Sequence, residues 1–111
     1  MAISQKDLIA SVPTGLLIGG SWRDSSDGGT LKVEDPATGE VLTEVADATV
    51  ADGKAALDAA VAAQPDWAKV PPRDRGEILR AAFERITERA DEFAMLMTLE
   101  MGKTLAGPGV R

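Results

Sequence analysis

From residue 73 to residue 102, apolar side chains return at steps of three, one and four. Leu79, Ala82, Phe83, Ile86, Ala90, Phe93, Ala94, Met97 and Met101 fall, at ~100° per residue, within a stripe about 120° wide. The spacing predicts helix. Asp91 and Glu92 mark a restart, so two successive helices are expected, broken near residues 88–91. Arg80, Glu84, Arg85 and Glu88 supply the charged opposite face of the first. Beyond residue 92 that polar side thins out. Met95 and Leu99 point roughly away from Met97 and Met101, which leaves the helix over 93–101 apolar on most sides. A helix apolar all round is normally buried all round, and each large apolar side chain fully buried is worth about 1.5–3 kcal/mol. Two readings follow: an internal core helix in a tight small domain, or a helix whose covering protein surface is missing. The second is favoured, because so short a chain covers one side of such a helix and not comfortably both.

Upstream the period changes. Leu16–Ile18 is a short apolar run that ends at Gly19-Gly20. Leu31 and Val33 alternate with polar neighbours, and so do Val41, Thr43 and Val45, as half-buried strands do. Asp27-Gly28-Gly29 and Asp35-Pro36-Ala37-Thr38-Gly39 are turn signals. Three strands are expected, two of them paired in a hairpin around residues 27–29. A short helix is expected around Leu8, Ile9 and Val12, stopped by Pro13. Thr49 suits an N-cap, with Asp52 as the acidic residue of the first turn. The Ala-rich run 50–63 then reads as helix, ended by Pro65. Pro71-Pro72 opens the next helix, with Asp74 and Glu77 near its start. The fold class is α/β: about three strands followed by about three helices.

Composition narrows the chemistry. A chain of 111 residues, 44% hydrophobic and 27% charged, is one small globular domain rather than a disordered segment. The net charge of −6 argues against a nucleic-acid partner, which would want a basic patch. Cys and His are both absent, which excludes disulfides, Cys/His metal sites, thiol nucleophiles and Ser-His-Asp chemistry. No run resembles a signal-peptide core or approaches a membrane span, so no membrane partner and a cytoplasmic location are expected. Gly102-Lys103-Thr104 lacks the upstream glycine and feeding strand of a phosphate loop; it reads as a helix C-cap with a lysine at the negative end. Gly19-Gly20 and Gly28-Gly29 match no dinucleotide fingerprint. Asp24, Asp27, Glu34 and Asp35 gather in predicted loops, where solvated charge is a better reading than a cation site. Glu100 is the one acidic residue on an apolar face. Trp22 and Trp67 read as core or interface anchors. No residue is assigned a catalytic, cofactor-binding or metal role.

Three stretches in order resemble the start of an aldehyde dehydrogenase: Leu17-Ile18-Gly19-Gly20-Ser21-Trp22, Val33-Glu34-Asp35-Pro36-Ala37-Thr38-Gly39-Glu40-Val41, and Leu96-Met97-Thr98-Leu99-Glu100-Met101-Gly102-Lys103. Pro65-Asp66-Trp67 and Arg73-Asp74-Arg75-Gly76-Glu77-Ile78-Leu79-Arg80 lie between them in register. The last of the three is most similar to the succinate-semialdehyde dehydrogenase branch. The resemblance runs over about residues 15–106, with 1–14 as an N-terminal extension and 107–111 as a non-family tail. It implies the N-terminal part of a cofactor-binding domain. It also implies oxidation of aldehydes to carboxylic acids with NAD or NADP, through a Cys thiolate, an oxyanion site and a Glu that activates water, in dimers or tetramers. Those residues lie downstream in the family, so the segment alone is expected to be inert and to bind no cofactor. Self-association, or docking on the remainder of such a fold, is the expected partnership. A small interaction module that docks through residues 93–101 is the alternative. Thr104 stands where the family usually has Pro, and Gly107-Pro108-Gly109 reads as the end of a truncated or frame-shifted product.

Overall fold

Residues 3–105 are described by a computed structural model of the chain. The expected tail at 107–111 lies outside them. The elements run α1 (Gln5–Ser11), β1 (Leu16–Ile18), β2 (Ser21–Arg23), β3 (Thr30–Glu34), β4 (Val41–Ala46), α2 (Val50–Lys69), α3 (Pro72–Glu88) and α4 (Ala90–Met101). The α/β architecture stands, with four strands instead of three. They form two separate antiparallel hairpins, β1–β2 and β3–β4.

The hairpin assignments differ from expectation. Gly19 and Gly20 both take positive φ, 60° and 82°, which builds a two-residue turn whose twist suits a hairpin. The chain therefore folds back there, and Ser21–Arg23 pairs with Leu16–Ile18. Asp27–Gly29, expected inside a hairpin, instead links the two hairpins. The second closes over Asp35–Gly39, where the Gly39 and Thr38 amides donate to the Asp35 carbonyl at 2.7 and 3.3 Å. Val33 pairs with Thr43 and Glu34 with Val41, so Leu42 is an extra residue on β4. This bulge rotates the strand locally. Leu42, Thr43 and Val45 all line one apolar cavity, while Val41 is exposed.

The helices start and stop largely as expected. Thr49 caps α2 in a reciprocal box with Asp52, and Pro72 sits in the first turn of α3. Arg89 divides α3 from α4, within the predicted break. Gly102 ends α4 in the left-handed conformation, φ 75°, and its amide donates to the Thr98 carbonyl at 2.9 Å. Pro65 is the exception: α2 continues through it to Lys69. Proline φ is itself helical, so the loss is one amide donor and some crowding of the Val61 carbonyl. The helix is exposed along this whole stretch, so the carbonyl is not sealed from solvent.

The core is small. Among the described residues, Leu8 (0% exposed) and Leu99 (7%) are the buried hydrophobic ones. They belong to the place where α1, the β3–β4 hairpin and α4 converge around a cavity of about 100 Å³ that Ile9, Val33, Leu96 and Leu99 help to line. The rest of the molecule spreads out. Its radius of gyration is 17.1 Å, against about 13 Å for a compact chain of this length. Its accessible surface is 8590 Å², against about 5,800 Å² for a compact monomer of this mass. Truncating Leu99 to Ala removes half of that core and is expected to cost about 2–5 kcal/mol. Truncating the larger Phe83, which stands in solvent, is expected to cost no more than about 0.5 kcal/mol. Urea unfolding of the two variants compares these losses, and equal losses would contradict this description of the core.

Candidate functional site

The most organised polar cluster surrounds Asp52. Its side chain is 1% exposed, a position that a carboxylate tolerates only when fully bonded. Oδ2 accepts from the Thr49 amide at 2.9 Å, the Ser26 amide at 3.1 Å and the Thr49 hydroxyl at 3.1 Å. Oδ1 accepts from Arg23 Nη2 at 2.8 Å. The Ser25 hydroxyl lies nearer to Asp27 Oδ1, at 2.9 Å, than to Asp52 Oδ2, at 3.4 Å. The arrangement fastens β2 and the loop after it to the start of α2. The Thr49 and Ser26 amides hold the Asp52 carboxyl well below the usual carboxylate range. The Gly29 amide and then the Ser25 hydroxyl do the same, less strongly, for Asp27. A carboxylate so firmly ionised and so fully occupied cannot shuttle protons. It is a clasp.

The other candidate residues lie in a helix cap, in turns and at exposed positions. Gly102-Lys103-Thr104 follows a helix and supplies its cap. Asp35 accepts the Ala37 amide at 2.9 Å in a turn. Neither Asp24, Asp27, Glu34 and Asp35 nor any other group of acidic residues forms a metal cage among the described residues. Glu100 is exposed at the rim of the apolar cavity. Trp22 and Trp67 are both exposed and so belong to no core here. Among the described residues no glycine-rich turn joins a strand to a helix. Gly19-Gly20 is a hairpin turn, and Gly28-Gly29 leads into a strand. The strand-to-helix junction from β4 to α2 has no glycine, and the Asp52 carboxylate folds back there onto the Thr49 amide.

The apolar stripe is the other prominent feature, and it faces solvent. Phe83 is 67% exposed, Met97 44% and Met101 64%, with Leu79, Ile86 and Phe93 exposed beside them. Leu99, on the opposite side of α4, meets the small core together with Leu96. No residue of α3 is buried. On α2, Leu57, Val61 and Trp67 line a second open apolar groove. The stripe itself was visible in the sequence. The Asp52 clasp was visible only as a helix cap, because Arg23 and Ser26 lie 29 and 26 residues away along the chain and no local pattern joins them.

The aldehyde dehydrogenase family model matches residues 22–107. Succinate-semialdehyde dehydrogenase of Paenarthrobacter nicotinovorans is 58% identical over 66 residues, which are 60% of this chain and 15% of that protein. Glutarate-semialdehyde dehydrogenase of Pseudomonas putida is 43% identical over 89 residues, 80% of this chain and 18% of that one. The crystal structure of betaine aldehyde dehydrogenase from Staphylococcus aureus in complex with NAD+ superposes with a TM-score of 0.88 at 30% identity, covering 91% of this chain and 20% of that chain. The chain belongs to the aldehyde dehydrogenase family. It spans a fifth or less of the length of these relatives, and its elements correspond to an N-terminal part of their fold.

The clasp gives a pH dependence of known sign. The folded Asp52 carboxyl binds its proton less readily than the unfolded one, whose value is about 3.9. Its contribution is therefore complete above about pH 5 and is lost as pH falls below about 4. The Asp52→Asn variant is expected to melt at a lower temperature than the parent at neutral pH, and to lose less on acidification from about pH 5 to about pH 2.5. Parallel acid profiles for parent and variant would contradict the clasp.

Proposed function

We propose that this chain is a scaffold segment of an NAD(P)-dependent enzyme that oxidises dicarboxylic semialdehydes to the corresponding dicarboxylates. The observation that carries this reading is its likeness to two semialdehyde dehydrogenases. The nucleotide and aldehyde chemistry of such an enzyme we assign to residues outside this chain. The sequence contains no Cys, so it has no thiol to attack an aldehyde carbon, and its β4–α2 junction lacks the glycine-rich turn of a dinucleotide site. The cytoplasmic location expected above is kept with this reading and rests on the sequence alone. Among the described residues no helix is long and apolar enough to cross a membrane.

The segment's own contribution is mechanical. Two hairpins and the Asp52 clasp set the direction in which α2 leaves the strands, and the prolines at 71 and 72 set the turn into α3. The reading as an interaction module draws on the same exposed face, which extends beyond residues 93–101 to Leu79, Phe83 and Ile86 on α3.

The purified chain, incubated with succinate or glutarate semialdehyde and either NAD or NADP, is expected to form no reduced nucleotide above the buffer rate. Turnover that co-purifies with the chain would end the claim that it carries no chemistry.

A further inference from the structure

We propose that Asp27–Gly28 is a site of spontaneous isoaspartate formation, and that the identical dipeptide Asp52–Gly53 is shielded from the same reaction by the clasp. This modification is independent of the enzymatic reading above.

The sequence holds two Asp-Gly pairs, at 27–28 and 52–53, and no Asn. Asp-Gly is the pair most open to this chemistry, because the second residue has no Cβ to crowd its nitrogen. The Gly nitrogen attacks Cγ of the protonated Asp carboxyl. An N–Cγ bond forms, one carboxyl C–O bond breaks, and the hydroxyl leaves with the amide proton as water. Water then reopens the cyclic imide at either carbonyl. Opening at Cγ restores Asp. Opening at the main-chain carbonyl leaves the chain running through Cγ, as isoaspartate. One water is lost and one is regained, with no change of oxidation state.

The surroundings of the two pairs differ. Asp27 and Gly28 lie exposed in the loop between β2 and β3. Asp27 Oδ1 accepts the Gly29 amide at 2.7 Å, which makes an Asx turn. The ring closed by that bond contains both Cγ and the Gly28 nitrogen, so the carboxyl is folded forward toward its attacker. The Ser25 hydroxyl donates to the same oxygen at 2.9 Å. As the nitrogen adds to Cγ, negative charge develops on Oδ1, where these two donors already point. Oδ2 is then the oxygen that leaves. The Gly28 amide is engaged by a turn bond to the Ser25 carbonyl at 2.9 Å, and such a bond in an exposed loop opens locally.

Asp52 has none of this freedom. Its side chain is 1% exposed, and its carboxyl turns backward, onto the Thr49 amide three residues earlier. Both oxygens are occupied, Oδ2 by Thr49 and Ser26 and Oδ1 by Arg23. The Gly53 amide donates to the Thr49 carbonyl at 3.1 Å, in the first turn of α2. For that nitrogen to reach Cγ, the capping box and the ion pair must open together.

The test is storage of the purified, folded chain at physiological temperature in mildly acidic buffer. Acid supplies the protonated carboxyl that the Gly29 amide and Ser25 hydroxyl otherwise disfavour at Asp27. Trypsin places the two pairs in separate peptides, 24–32 and 33–54, and electron-transfer fragmentation locates isoaspartate within each. The expected result is accumulation at residue 27 at least fivefold faster than at residue 52, with the two rates converging when the chain is stored in urea. Asp27→Glu is expected to leave peptide 24–32 free of isoaspartate, which excludes Asp24 as its source. Equal rates in the folded chain, faster conversion at residue 52, no conversion at residue 27 while the chain in urea converts, or a signal in peptide 24–32 that survives Asp27→Glu would each overturn the proposal.

Discussion

An amphipathic helix contributes to folding only when its apolar side is taken out of water. Among the described residues, nothing covers the stripe that α3 and α4 present to solvent. The constraint shapes the rest of the molecule. Removing Leu8 and Leu99 from solvent gains about 3–6 kcal/mol in all, so little of the apolar content drives collapse. What keeps the elements in order is a small set of other contacts: two tight hairpins, a reciprocal helix cap, a proline junction and one fully bonded carboxylate. These are directional contacts. They define angles between neighbouring elements more effectively than they supply stability.

That division of labour explains how an extended chain can keep the arrangement found in a complete family member. The hairpins and caps are each encoded within a few residues. The clasp of Arg23, Ser26 and Asp52 adds one long-range constraint, closing the loop between the first hairpin and α2. The apolar stripe takes no part in that order and remains available for an interface.

Much of this was legible in the residues. The period of Leu79 to Met101, the Thr49–Asp52 cap, the Gly102 stop and the α3–α4 break are local signals with a physical basis, and each appears where it was expected. The misreadings are also local. Ser21-Trp22-Arg23 is too short for its alternation to register, so its strand went unseen, although Gly19-Gly20 was a sufficient hairpin signal. Pro65 was expected to stop α2, yet its φ is helical, and the carbonyl it deprives of a donor lies on an exposed helix. The bulge at Leu42 and the salt bridge from Arg23 to Asp52 depend on partners distant in sequence, and spacing alone does not encode them. The fate of the stripe was legible as a problem of area: more apolar surface than so short a chain can hide.

The central claim, that the elements hold their places while the stripe stays uncovered, bears directly on size in solution. Small-angle scattering from the monomer fraction of the purified chain measures it. The account predicts a radius of gyration near the 17.1 Å of the structure. A value near the roughly 13 Å of a compact chain this long would mean that the helices fold back and cover their own apolar side, and would contradict it.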